Sequence, residues 1–129
     1  MKSVKDMVAS ANDVVEHAPA EDLLALHGQD GVTFVDLRDP RELEREGMIP
    51  GAFHCPRGML EFWIDPDSPY AKAQFQTGNK FVFYCASGWR SALSAQVAQE
   101  MGLQNVSHIS DGFGGWKKAG GPVGEKPAK

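Results

Sequence analysis

Cys85 is the side chain in this sequence best placed to do chemistry. It ends the apolar, β-prone run Phe81–Val82–Phe83–Tyr84 and is followed by Ala86–Ser87–Gly88–Trp89–Arg90, after which Ser91 to Met101 favours helix. A buried strand would fix the sulfur's position. Residues as small as Ala86, Ser87 and Gly88 let the backbone curl so that several N–H groups converge as an anion nest. The helix that follows brings a partial positive charge at its N-terminus, which favours a thiolate. Arg90, at the end of the loop, can close the ring or draw in an anion. A cysteine after an apolar run is more often simple packing. Here the loop, the arginine and the helix together reverse that weighting toward an activated nucleophile.

Asp36 is the second candidate. It ends Val32–Thr33–Phe34–Val35, a near-continuous β-branched and aromatic run of the kind found in strands buried on both faces. If this strand and the one before Cys85 are central and parallel, both side chains emerge on the carboxyl rim, where such sheets bind ligands. Asp36 then orients Arg38, supports the loop amides, or forms a plain structural ion pair. His54 and Cys55 are adjacent, which suggests a metal. Neighbouring strand residues point to opposite faces, however, and no second Cys/His pair stands at ligand spacing, so no metal site is expected. Cys55 reads as packing. A Cys55–Cys85 disulfide is a redox alternative that needs Cα atoms within about 7 Å.

The elements that must position these residues follow from pattern. Val4, Met7, Val8 and Ala11 mark an N-terminal amphipathic helix over 1–12, stopped by Asn12–Asp13, and Val14–Val15–Glu16 reads as an edge strand. A helix is expected from Ala20 to His27, closed by Gly28, and another from Pro40 to Glu46, closed by Gly47. Ala52 to Cys55 is a short strand, and Arg57 to Asp65 an amphipathic helix. Tyr70 to Phe75 is a further short helix after the turn-rich Asp65–Pro66–Asp67–Ser68–Pro69. Asn105 to Ile109 is the last strand, a brief helix runs from Asp111 to Trp116, and 121–129 is a fraying tail. Strands near 15, 34, 53, 83 and 108, separated by helical pieces, predict an α/β domain. Its five-stranded, mostly parallel sheet would carry helices on both faces. Arg41–Glu42–Leu43–Glu44–Arg45–Glu46 reads as a solvated helix face, and Phe62, Trp63 and Trp89 as part core, part rim of the site.

Bulk properties narrow the class. The chain has 129 residues, is 42% hydrophobic and 23% charged, and carries 13 basic against 17 acidic residues. That suits one ordered domain, over 1–129, with its own core. No Lys/Arg stripe points to nucleic acid, and no run approaches the ~18 apolar residues of a membrane span. Two cysteines make no disulfide framework, and no secretory signal pattern opens the chain, so a cytoplasmic location is expected.

Several stretches together resemble the rhodanese (sulfurtransferase) family. Cys85–Ala86–Ser87–Gly88–Trp89–Arg90–Ser91 is similar to its active-site loop, and Val35–Asp36–Leu37–Arg38 followed by Glu42 to its second-strand motif. Gly47–Met48–Ile49–Pro50–Gly51–Ala52–Phe53–His54 resembles its "G-H-I-P-G-A-x-H" signature. Residues 111–122, Asp111 through Trp116 to Pro122, resemble its "G-G-x-x-x-W-x-x-x-G-x-P" ending. The departures at Met48 and Asp111 are not expected to touch the chemistry.

The resemblance implies a rhodanese-like fold and a two-step reaction. Cys85 takes the outer sulfur of a donor such as thiosulfate as a persulfide, then yields it to cyanide, a thiol or a protein acceptor. The binding loop would be Ala86, Ser87, Gly88, Trp89 and Arg90, supported by Asp36 and Arg41, with no cofactor. Related phosphatases of this fold have Cys-x5-Arg, whereas Cys85 to Arg90 is Cys-x4-Arg, a ring sized for one sulfur. Many thiosulfate-using members carry Arg or Lys directly after the cysteine, where this chain has Ala86 and Ser87. Attraction for a dianion would then fall to Arg90, with Arg41 or Arg57. Two other readings compete: a sulfur-carrying binding module with little free turnover, and a cysteine-dependent phosphatase or arsenate reductase.

Overall fold

The computed structural model describes residues 1–127, and five parallel strands organise it. They are β1 (Glu16–Ala18), β2 (Val32–Asp36), β3 (Phe53–His54), β4 (Lys80–Tyr84) and β5 (Val106–Ile109), in the order β1-β5-β4-β2-β3. The expected α/β architecture is therefore present, with every pairing parallel. β2 and β4 sit inside the sheet, which explains their unbroken apolar runs: both faces need covering. Phe34, Val35, Val82 and Phe83 are all buried.

Helices α1 (Val4–Val14), α2 (Pro40–Glu46), α3 (Leu60–Ile64), α4 (Trp89–Glu100) and α5 (Gly112–Lys118) fill the connections. One core gathers Val35, Phe81, Phe83 and Val106 with Ala95 and Ala98 of α4 and Leu60 and Ile64 of α3. The other gathers Phe34, Val82, Tyr84 and Ile109 with Phe113 and Trp116 of α5. The split follows strand alternation, since residues one apart face opposite layers. Small residues on α4 let it lie close to the sheet and to Val8 and Ala11 of α1. No helix among the described residues is long and apolar enough to cross a membrane.

Register decides the site. β2 and β4 pair Asp36 with Tyr84, so both strands end level and Cys85 emerges beside Leu37 on the carboxyl rim. β2 also pairs Asp36 with His54, which places Cys55 level with Cys85 but with β2 between them. Two strand spacings are roughly 10 Å, beyond disulfide reach. Both thiols are free.

Several sequence expectations are corrected. α1 continues through Asn12 and Asp13 to Val14, so the edge strand begins at Glu16 rather than Val14. An asparagine disrupts a helix when its amide competes for nearby backbone, but Asn12 bonds instead to His108, across 2.7 Å. The helix expected from Ala20 to His27 is two 3-10 turns, Ala20–Asp22 and Leu24–Leu26, in which the Leu23 and His27 N–H groups bond three residues back, to the Ala20 and Leu24 carbonyls. Arg57 to Asp65 divides into a 3-10 turn at Arg57–Met59 and α3. Between Tyr70 and Phe75 only Ala73–Phe75 coils, because Ser68 holds the Tyr70 N–H and the Trp63 carbonyl holds Lys72. The strand around His54 is two residues long, because β2 offers it only Val35 and Asp36. The tail expected to fray is pinned at Gly124, which exchanges hydrogen bonds of 2.8 and 2.9 Å with Met48. The Trp116 indole N–H also donates to the Pro122 carbonyl, at 2.8 Å. Residues 128 and 129 lie outside the described residues.

Candidate active site

The loop after β4 is built from peptide planarity. The Cys85 carbonyl accepts the Phe113 N–H at 2.8 Å, and the Ala86 carbonyl accepts the Gly114 N–H at 3.2 Å. Both carbonyls are thus turned outward onto the first turn of α5. A trans peptide places the next N–H opposite its carbonyl, so the Ala86 and Ser87 amides turn inward. Neither has a protein acceptor among the described residues.

Two glycines permit this geometry. Gly88 has φ of 106°, and a Cβ there would collide with the Ser110 carbonyl. Gly112 has φ of 63°, and its Cβ would strike the Ala86 carbonyl. Gly88 then starts α4 two residues earlier than the pattern suggests. Trp89 and Arg90, read from the sequence as loop, form its first turn instead. Their N–H groups lack intrahelical partners, as at any helix start.

The Cys85 sulfur sits at the focus of this ring, almost fully buried. It accepts the Gly88 N–H at 3.2 Å and the Ser91 N–H at 3.3 Å. Such donors, with the α4 N-terminus, favour negative charge on sulfur. The Ser91 hydroxyl lies 3.6 Å from Sγ. Behind it, Ser91 Oγ meets His108 Nδ1 at 2.9 Å, and His108 Nε2 meets Asn12 Oδ1 at 2.7 Å. Burial pushes the His108 imidazole down to about 4, with His17 of β1 opposing charge as well. It is therefore neutral near pH 7.

The remaining candidates divide. Arg90 is at the loop, but both its terminal nitrogens bind Glu42, at 2.8 and 3.0 Å. Arg41 does not join the loop: it is 81% exposed and pairs with Asp39, having been read as site-supporting from charge alone. Arg57 is paired with Glu61 at 2.9 Å. Asp36 makes no bond to the loop. Its carboxylate holds the buried Arg38 guanidinium from two sides, at 2.9 and 2.7 Å. Arg38 also donates to the Gly47 carbonyl and lies 4.4 Å above the Phe113 ring. The structural ion pair is thus the outcome for Asp36, with Arg38 packed on the Tyr84 and Phe113 rings that flank the loop.

Cys55 lies in the α3–α4 core, and burial pushes its thiol up to about 12. Trp63 packs on Phe53, whereas Phe62 and Trp89 are half exposed. No group of three or more His, Cys, Asp or Glu among the described residues is placed to hold a metal ion.

His108 and Asn12 complete the site without being singled out by sequence reasoning, and Ser91 and Glu42 were named only within motifs that resemble the family's, with no role assigned. The available signal was weak: a histidine in an otherwise apolar strand, and an asparagine inside a helix pattern. Asp111 was read as an incidental departure, yet its carboxylate accepts the Ala20 N–H at 2.8 Å and ties the α5 start to the 3-10 turn at Ala20–Asp22.

Comparison with known proteins agrees with this architecture. Residues 19–119 match the family model described as Rhodanese-like domain. A solved structure from Rhodopseudomonas palustris, a protein of unknown function described as a possible tyrosine phosphatase, is 57% identical. It superposes with a TM-score of 0.94, over 96% of each chain. The polysulfide-sulfur transferase homodimer of Wolinella succinogenes is 25% identical, with a TM-score of 0.67, over 95% of this chain and 87% of that one. An uncharacterized Synechocystis protein is 33% identical over 91% of this chain, which spans only 60% of that relative's length. The family match takes in the strand, the cysteine and the loop from which the site is built, and the chain belongs to the rhodanese-like domain family.

Proposed function

We propose that this protein is a sulfurtransferase that carries sulfane sulfur as a persulfide on Cys85. The observation that carries the reading is the Cys85 sulfur bonded to the Gly88 and Ser91 amides inside a ring only four residues long between Cys85 and Arg90. The thiolate attacks the outer sulfur of a donor, a new S–S bond forms, and the donor's S–S bond breaks to release sulfite or a thiolate. The inward Ala86 and Ser87 amides face the terminal persulfide sulfur, where the charge then sits. An acceptor thiolate or cyanide attacks that sulfur and Cys85 leaves as thiolate. Every step moves an electron pair between sulfurs or to carbon, so a metal or organic cofactor has no role.

Donor class follows from charge. Arg90, Arg41 and Arg57 each face a carboxylate, and the loop itself carries no other cation. Thiosulfate, a dianion, is therefore the poorer substrate; the persulfide of an uncharged low-molecular-weight thiol, at most a monoanion, is the better one. Half-exposed Phe62 and Trp89 suit a thiol or a protein acceptor, and two free thiols suit a reducing cytoplasm.

The deciding experiment is intact mass after incubation with such a persulfide and, separately, thiosulfate. A gain of one sulfur on the wild type and none on Cys85→Ser is expected. No gain with either donor, or an equal gain on Cys85→Ser, overturns the reading. The description of the R. palustris relative favours a second reading, phosphate ester hydrolysis by the same thiolate. Turnover of an aryl phosphate without sulfur loading would establish it.

A further inference from the structure

Behind the Cys85 sulfur, three side chains from three elements stand in line. Cys85 follows β4, Ser91 is on α4, His108 on β5 and Asn12 on α1, with successive contacts of 3.6, 2.9 and 2.7 Å. Ser91 and His108 have no exposed surface, while Asn12 is half-buried. A neutral imidazole has one N–H and one bare nitrogen, and a hydroxyl has one hydrogen. The chain can therefore run in only two directions.

In the first, His108 Nε2–H donates to Asn12 Oδ1, Ser91 O–H donates to Nδ1, and Ser91 Oγ accepts the Cys85 S–H. That direction fits a thiol. In the second, the Asn12 amide turns to donate to Nε2, Nδ1–H donates to Ser91 Oγ, and Ser91 O–H donates to the sulfur. That direction fits a thiolate, adding a third donor to the Gly88 and Ser91 amides. Asn12 is suited to the outer position because a primary amide offers either partner and its solvent-facing side lets it turn.

We propose that Ser91, His108 and Asn12 form a reversible hydrogen-bond chain whose direction follows the charge on Cys85. Ser91 stabilises the thiolate, and His108 and Asn12 are positioning residues that release its hydroxyl toward the sulfur. On ionisation the S–H bond breaks and its electron pair stays on sulfur. The proton passes to Ser91 Oγ as the serine's own proton passes to His108 Nδ1. The Nε2 proton leaves to solvent water beside Asn12. One proton is released, and His108 ends neutral as the other tautomer.

The groups facing His108 are His17 from β1, its ring centroid 5.7 Å away, Ser91 from α4, Asn12 from α1 and the Cys85 thiol beyond Ser91. The low proton affinity of His108 keeps the imidazole neutral near pH 7. The inference rests on Cys85 as the nucleophile but not on sulfur as its cargo.

The experiment reads the thiol and the imidazole separately. Ultraviolet thiolate absorbance, taken as the difference from Cys85→Ser, follows Cys85 through a pH titration, and imidazole nitrogen NMR follows the His108 tautomer. In the wild type the His108 proton should move from Nε2 to Nδ1 over the pH range in which the thiolate appears, and should not move in Cys85→Ser. Ser91→Ala, which keeps the backbone donor, should raise the ionisation midpoint by about one pH unit or more, a tenfold loss of thiolate at fixed pH. A His108 tautomer indifferent to Cys85 overturns the proposal, as does a Ser91→Ala midpoint that is unchanged or lower. Because neither readout uses a sulfur donor, failure here is distinguishable from failure to load sulfur.

Discussion

Glu42 and Arg90 meet as a two-pronged ion pair, Nη1 to Oε1 at 2.8 Å and Nη2 to Oε2 at 3.0 Å. The carboxylate comes from the first turn of α2, where Glu42 also accepts the Asp39 N–H in a capping box. The arginine at the end of the cysteine loop is thus fixed and its charge largely answered. Arg90 holds Glu42 below the ordinary carboxylate range.

Freeing that arginine should change donor preference. Glu42→Gln keeps an acceptor for the capping box and removes the charge opposite Arg90. Sulfite release from thiosulfate should rise about three- to tenfold in kcat/KM, mainly through KM, with a smaller change for the persulfide of an uncharged thiol. Parallel kinetics with the two donors test this, and an equal rise with both contradicts the charge argument.

The loop should not tolerate a side chain at its turning point. Gly88→Ala places a Cβ against the Ser110 carbonyl at φ of 106°. A loss of at least ~2 kcal/mol in urea unfolding is expected. Sulfur loading measured by mass should fall with it.

Stability should fall on mild acidification because of His108. Its folded value is about 4 against an ordinary 6.5, so between these the unfolded chain binds the additional proton. The contribution is complete above pH 6.5, is lost as pH falls toward 4, and then levels off, amounting to about 3 kcal/mol. His108→Gln should flatten this part of the pH–stability curve in urea titrations. Glu42, held low by Arg90, adds its own loss at still lower pH.

The Asp36–Arg38 pair should matter for folding. Asp36→Asn leaves a guanidinium buried without its counter-charge, which costs about 3–5 kcal/mol. Asp36→Asn combined with Arg38→Met should recover part of that loss, measured as a double-mutant cycle.

The two cysteines should separate by reactivity. With the Cys55 thiol pushed up to about 12 by burial, iodoacetamide at pH 8 should modify one thiol in the native protein and two in denaturant. Cys85→Ser should leave the native protein unlabelled; labelling of Cys55 in that variant would show the α3–α4 core to be open.

The sequence by itself determined the layer architecture and singled out the candidate thiol. Val32–Asp36 and Phe81–Tyr84 are legible as central strands because burial on both faces demands unbroken apolar runs, and a thiol before small residues and a helix has few other uses. It also carried the loop length, which is a count along the chain. What it left out depends on which distant side chains meet. Asn12 continues α1 only because its amide is engaged by His108, 96 positions away. Arg90 is paired because α2 sets Glu42 opposite it, and Arg41 on the same helix is exposed beside Asp39. Local pattern records hydrophobic period and turn chemistry, both set by near neighbours; ion pairing and hydrogen-bond direction are set by register and helix docking, and these exist only once the sheet has closed.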